Sequence, residues 1–263
     1  MSVLRPHPGT RGAIRAILWL QVGLAVVLLG SELIRVLPQI VWPSAAPELT
    51  APLAPGDQTR RYRPAELPAR DAPPGSRPVP VTTDMPSRLL FEPATWEGRE
   101  TLTLTGTIAP GDAERLSDYL DGRTAPELVF LNSPGGSVGD ALSIGRSLRE
   151  MEAETRMSQA DICLSACPYM LAAGVRRQVA EGAMVGVHQH FFGENIALPA
   201  FLAVEDIQRG QGEVMAYLAE MGIDPLLMQP ALVTPPDEIY LLTAEELSRY
   251  GLVTPADGAE PDT

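Results

Sequence analysis

No lysine occurs in this chain of 263 residues; all 20 of its cationic side chains are arginine. That absence excludes a Ser–Lys dyad, a Schiff-base lysine and a Walker-type phosphate-binding lysine. Positive charge is scarce as well. Against 33 acidic residues the formal net charge is −13, which argues against a nucleic-acid partner. Cysteine (two), histidine (three) and aromatics (5%) are also few. No Cys, His or Glu spacing matches a zinc pattern, so no metal and no other cofactor is expected.

What is present falls into stretches of different character. A flank with Arg5, Arg11 and Arg15 precedes the apolar run "AILWLQVGLAVVLLG", Ala16 to Gly30, which continues more weakly to Leu37. Arginines before the run and none close after Arg35 place the N-terminus (1–12) in the cytoplasm and make 13–37 a transmembrane signal anchor. "SAA" at Ser44–Ala46 lies too far beyond the apolar core for a good cleavage site, so an uncleaved anchor is favoured over a cleaved peptide. Residues 38–83 are dense in proline and poor in large apolar side chains, and read as a semi-extended spacer. Residues 84–254 form the folded domain, and 255–263 an acidic, frayed tail.

Within the domain, "ETLTLTGTI" alternates as a strand does, and "GDAERLSDYLDG" has helical spacing stopped by Gly122. "PELVFLN" reads as a buried strand, Val138 to Met151 as a helix, "ETRMS" and "GAMVGVHQH" as strands, and Ala197 to Gly222 as a long helix. Thr243 and Glu246 form a capping box opening a last helix. Strands alternating with helices predict an α/β fold with a mainly parallel sheet.

Four places carry candidate chemistry. In "FLNSPGGSV" a strand ends at Asn132 and turns through Gly135 and Gly136, where backbone N–H groups can face a ligand. In "DICLSACPYMLAAG", Pro168 belongs to a first helical turn, which makes Ser165 the expected N-cap and Pro168 the third helical residue. Ser165 is thereby either a plain cap or a nucleophile. "VGVHQH" supplies His188 and His190, of one parity on a strand, as base or as structural histidines. Asp237, after a Pro-Pro turn, is either an orienting acid or a solvated turn residue.

Taken in order, "LTGTI", "FLNSPGGSV", "SACPYMLAAG", "VHQ" and "LTAEELSRYGLV" resemble the Clp protease proteolytic subunit of the Clp/crotonase superfamily, in particular its membrane-anchored, periplasm-facing group. The resemblance spans about Leu102 to Val253. It implies a Clp/crotonase-like fold of repeated ββα units, with Ser165 as nucleophile and His188, not His190, as base. It also implies an oxyanion hole from Gly135 (Gly136 as second choice) and Ala166. The family's acid position falls on Ile239, so Asp237 fits only with a two-residue slip. The implied protein is a membrane-tethered, extracytoplasmic serine hydrolase, an ATP-independent peptidase acting on peptides or unfolded protein, and a homo-oligomer. The alternatives are a catalytically silent Clp-fold binding or oligomerisation module and an acyl-CoA enzyme of the crotonase branch. Outside the cytoplasm, Cys163 and Cys167 suit a disulfide bracing the turn that carries Ser165. Two free thiols or a nucleophilic Cys167 are the rivals.

Overall fold

A computed structural model describes residues 8–41, 44–52, 55–67, 75–80, 84–189 and 200–255. The chain separates into two compact units, Met1–Ala45 and Ala46–Thr263. The first holds one long helix, α1 (Pro8–Val41). Its segment Gly12–Ser31 has a mean hydropathy of 2.0, and none of it is buried by protein. Twenty such residues rise about 30 Å, the thickness of a bilayer's hydrocarbon core. This helix is long and apolar enough to cross a membrane.

The second unit is mixed α/β. In chain order its elements are β1 (Thr59–Arg61), β2 (Leu90–Trp96), β3 (Arg99–Thr105), α2 (Asp112–Leu120), β4 (Leu128–Asn132), α3 (Val138–Glu150), β5 (Glu154–Met157), β6 (Ile162–Leu164), α4 (Cys167–Ala172), β7 (Arg177–Val179), β8 (Met184–Val187), α5 (Ala200–Glu220), α6 (Met228–Val233), β9 (Glu238–Leu241) and α7 (Ala244–Arg249). One sheet has the order β2-β3-β4-β5-β7 and the other β1-β9-β8-β6. β3–β4, β4–β5, β5–β7 and β6–β8 pair parallel, whereas β2–β3, β8–β9 and β1–β9 pair antiparallel.

Burial explains the pattern. All five residues of β4 are buried, as expected for a strand covered on both faces. On α3, Ala141, Leu142, Ile144 and Leu148 are buried at helical spacing, and the Ser137 side chain caps the helix by accepting from the Asp140 N–H. Helix α5 closes over this layer. Tyr217 is fully buried and donates its hydroxyl to the Tyr169 carbonyl at 2.7 Å, tying α5 to α4. The capping box at α7 is formed by Thr243 and Glu246 as the spacing predicts.

Buried Asp112 fastens the start of α2. Its carboxylate accepts from Arg88 and Arg115 at 2.6 Å each and from the N–H groups of Ala109 at 2.7 Å and Leu89 at 3.3 Å. Burial would push its carboxyl up. The two guanidinium groups and the two backbone donors outweigh that and hold it below the usual carboxylate range.

Two expectations are revised here. The proline-rich stretch 38–83 is not a free spacer where it is described. β1 pairs with β9, placing Thr59 opposite Tyr240 and Arg61 opposite Glu238. Arg60 is buried and satisfied by Asp57 (2.8–3.0 Å) and Thr50 (3.0–3.1 Å). Arg77 forms an ion pair at 3.0 Å with Asp161, both side chains almost fully buried. Proline density lowers the cost of ordering an extended segment, and two buried arginines with paired carboxylates hold this one down. Second, the strand read in "GAMVGVHQH" ends at Val187, so His188 follows it and strand parity does not govern its direction. His190 lies outside the described residues.

Candidate active site

The two sheets meet where β4 ends and β6 runs. Ser133 bridges Cys163 in parallel, its N–H bonding Ile162 O at 2.7 Å and its carbonyl receiving Leu164 N–H at 3.0 Å. This seam sets the Pro134-Gly135-Gly136 turn beside the turn that follows β6. The approach is so close that a Cβ on Gly135 would lie 2.5 Å from Leu164 O and 2.6 Å from Ser165 Cβ. Only glycine fits there, and at φ 102° only glycine adopts the backbone freely.

Ser165 is not the N-cap of α4; that place belongs to Ala166, and Pro168 falls at the second helical residue. Ser165 itself sits one residue earlier with φ 60°, an uncommon left-handed conformation for serine. Its N–H bonds Gly186 O at 2.9 Å. The sharp bend between β6 and α4 leaves the side chain half-buried, facing the end of β8. There Ser165 Oγ lies 2.7 Å from His188 Nε2. His188 is buried, and the chain after it is held by Gln189, whose N–H bonds Thr234 O at 3.0 Å.

The two turns that meet at the serine offer two candidate backbone donors. Ala166 N–H makes no hydrogen bond among the described residues and follows Ser165 directly. The turn glycines divide their roles. Gly135 N–H is engaged by Ser133 Oγ at 3.1 Å, and Gly135 O receives Ile108 N–H at 2.8 Å. Because Gly135 O and Ser137 N–H both face Ile108, the N–H of Gly136 between them faces the opposite side. It is exposed and makes no hydrogen bond among the described residues. Gly136, the second choice from the sequence, is thus the donor left open, and Gly135 supplies the close approach.

Asp237 does not join the cluster. It is exposed, its backbone carbonyl receives Tyr62 N–H at 2.9 Å, and no hydrogen bond links its carboxylate to His188 among the described residues. Ile239, on the adjacent strand, is fully buried among Leu164, Met184 and Leu241. The sulfurs of Cys163 and Cys167 are 1.98 Å apart, at disulfide distance, on either side of Ser165. Among the described residues no three His, Cys, Asp or Glu side chains gather as a metal site requires.

Over 141 residues the chain is 27% identical to the ATP-dependent Clp protease proteolytic subunit 3 of Synechococcus sp. (strain CC9902), a match covering 51% of this chain and 69% of that subunit. No family profile matches. The similarity to a Clp protease subunit supports, at this level, a Clp-like relationship and a peptidase at most.

One residue beside the serine escaped the sequence reading. Tyr62, just after β1, stacks on the His188 ring at a centroid separation of 4.8 Å and an interplanar angle of 58°. Its hydroxyl donates to Pro134 O at 2.5 Å. Burial pushes that hydroxyl up to about 12, so it stays protonated at neutral pH. The signal in the sequence was slight, a lone aromatic between arginines in a proline-rich stretch.

Proposed function

We propose that this protein is a membrane-tethered, extracytoplasmic Clp-like serine hydrolase, an ATP-independent peptidase acting on peptides or unfolded protein. The observation that carries the reading is the 2.7 Å contact between Ser165 Oγ and His188 Nε2, the hydrogen-bond reach a serine nucleophile and its base require. The local similarity to a Clp protease subunit agrees with it.

In this reading Ser165 Oγ attacks the substrate carbonyl while its proton passes to His188 Nε2. The carbonyl oxygen becomes an oxyanion received by the N–H groups of Ala166 and Gly136. Each such donor is worth about 3–4 kcal/mol in an excluded site. His188 then returns the proton to the leaving amine, and water takes the place of the serine in the second half-reaction. Gly135 permits the close approach of the two turns, and the Cys163–Cys167 pair braces the turn carrying the nucleophile.

The anchor is assigned to Gly12–Ser31, with the arginine-bearing N-terminus inside and the hydrolase domain outside the cytoplasm. An oxidising exterior suits the cysteine pair. ATP-driven unfoldases work in the cytoplasm, so substrates would be short or already unfolded. The hydrolase domain is assigned to a homo-oligomer by analogy with Clp-like proteins.

A fluorophosphonate probe tests the chemistry. Wild type should label at one site, Ser165→Ala should not label at all, and His188→Ala should label about 10²–10⁴-fold more slowly. Reductant should slow labelling by releasing the brace. Undiminished labelling of Ser165→Ala sinks the assignment. The exposed carboxylate of Asp237, which makes no hydrogen bond to His188 among the described residues, favours a second reading, a catalytically silent Clp-fold binding module. Folded wild type that takes up no probe would select it.

A further inference from the structure

The segment that follows the anchor does more than cover apolar surface. Its described residues from Ala46 to Leu67 are built onto the domain: β1 extends the sheet at β9, and Arg60 is buried with Asp57 and Thr50. Leu49, Tyr62 and Leu67 pack on the cluster of Ile162, Leu164, Met184, Ile239 and Leu241. This register delivers Tyr62 to the one place where both reacting side chains and the oxyanion turn are within its reach.

Resting on the hydrolase reading, we propose that Tyr62 is a positioning residue of the active site, its ring setting the His188 imidazole and its hydroxyl setting the Pro134–Gly135–Gly136 turn. Three contacts argue for it. The ring lies 4.8 Å from the imidazole, close enough to limit its rotation about the Ser165 Oγ contact. The phenol O–H is committed to Pro134 O at 2.5 Å, which leaves the Ser165 hydroxyl proton to His188 Nε2 at 2.7 Å. The Tyr62 N–H is fixed by Asp237 O at 2.9 Å, so the side chain has an anchored root.

The consequence is geometric. Pro134 O shares its peptide with the Gly135 N–H, so Tyr62 and Ser133 Oγ fix that peptide from its two ends, and the next one, which carries the Gly136 N–H, is fixed through Gly135 O by Ile108. Glycines at φ 102° and 142° have little side-chain constraint of their own, so hydrogen bonds from outside hold the turn, with Ile108 flanking Gly136 and Tyr62 holding the Pro134 end beside Gly135. A donor displaced by about 1 Å from the developing oxyanion loses most of its effect.

The test uses the full chain in detergent, with the fluorophosphonate probe and hydrogen exchange read on the peptide covering Asn132 to Ser137. Tyr62→Phe keeps the ring and loses the hydroxyl. It should lower the maximal labelling rate about tenfold, leave the half-saturating probe concentration within about threefold, and speed exchange in that peptide without lowering the melting temperature. Tyr62→Ala should lose more, because the imidazole loses its neighbour as well. Labelling by Tyr62→Phe at the wild-type rate, or faster labelling by either variant, overturns the proposal and makes the segment a cover. If wild type takes up no probe, the hydrolase reading fails by itself. Exchange then decides the role of Tyr62: faster exchange of the turn in Tyr62→Phe upholds the coupling, and unchanged exchange overturns it.

Discussion

Gly136 stands where a methyl group has no room: a Cβ there would collide with the Ile108 carbonyl, and its φ of 142° is one that side-chain-bearing residues rarely adopt. Gly136→Ala should therefore cost about 1–3 kcal/mol of stability through backbone strain and turn the open N–H away from Ser165. The checks are the urea midpoint and the rate of Ser165 labelling, and wild-type labelling in that variant would remove Gly136 from the oxyanion hole. Ser165 carries its own strain at φ 60°, held by the Gly186 contact in front and the α4 turn behind. Serine at this position is thus a poor choice for a mere helix cap, which adopts an extended backbone. The catalytic assignment and the departure from cap geometry point the same way.

At the scale of elements, three connections make the site. β4 delivers the glycine turn, β6 with α4 delivers Ser165, and β8 delivers His188, so the proposed reacting groups come from strand ends. The start of α2 is pinned by Asp112, and this predicts a pH dependence. Its carboxyl is held below the value of about 3.9 expected in the unfolded chain, so the stabilisation is complete above about pH 4. It is lost as the pH falls through the depressed folded-state value, because protonation then breaks the contacts to Arg88 and Arg115. Asp112→Asn should lower the neutral-pH melting temperature and flatten its decline between about pH 4 and pH 2. A decline as steep as that of wild type would show that other carboxylates govern acid unfolding. Glu154, drawn down by Arg99 and Arg176 against the opposing effect of burial, contributes in the same direction.

The whole molecule joins one membrane-length helix to one α/β unit. If Gly12–Ser31 spans a bilayer, the full chain should stay with membranes through an alkaline carbonate wash, and a chain starting at Ala46 should be extracted. Protease added to spheroplasts should digest the domain if it faces outward; protection there would reverse the assigned orientation. The second unit begins at Ala46, so that truncation keeps β1 and Tyr62 with the rest of the α/β unit.

Much of this was legible in the chain itself. The apolar run, the Thr243 capping box and the buried strand at Leu128–Asn132 rest on local periodicity and turn chemistry, which neighbouring residues determine, whereas the meeting of "SPGGS" with the Ser165 turn was legible only through the resemblance in motif order. Tertiary structure alone decided what depends on partners far apart in sequence. It chose Gly136 over Gly135 as the open donor, because Ser133 Oγ and Ile108 take up the groups of Gly135. It moved Ser165 out of the cap position, because α4 begins one residue later. It also drew Tyr62 from a proline-rich stretch onto His188, because the edge of β9 and the buried charge of Arg60 reward ordering a segment whose own composition has no core to form.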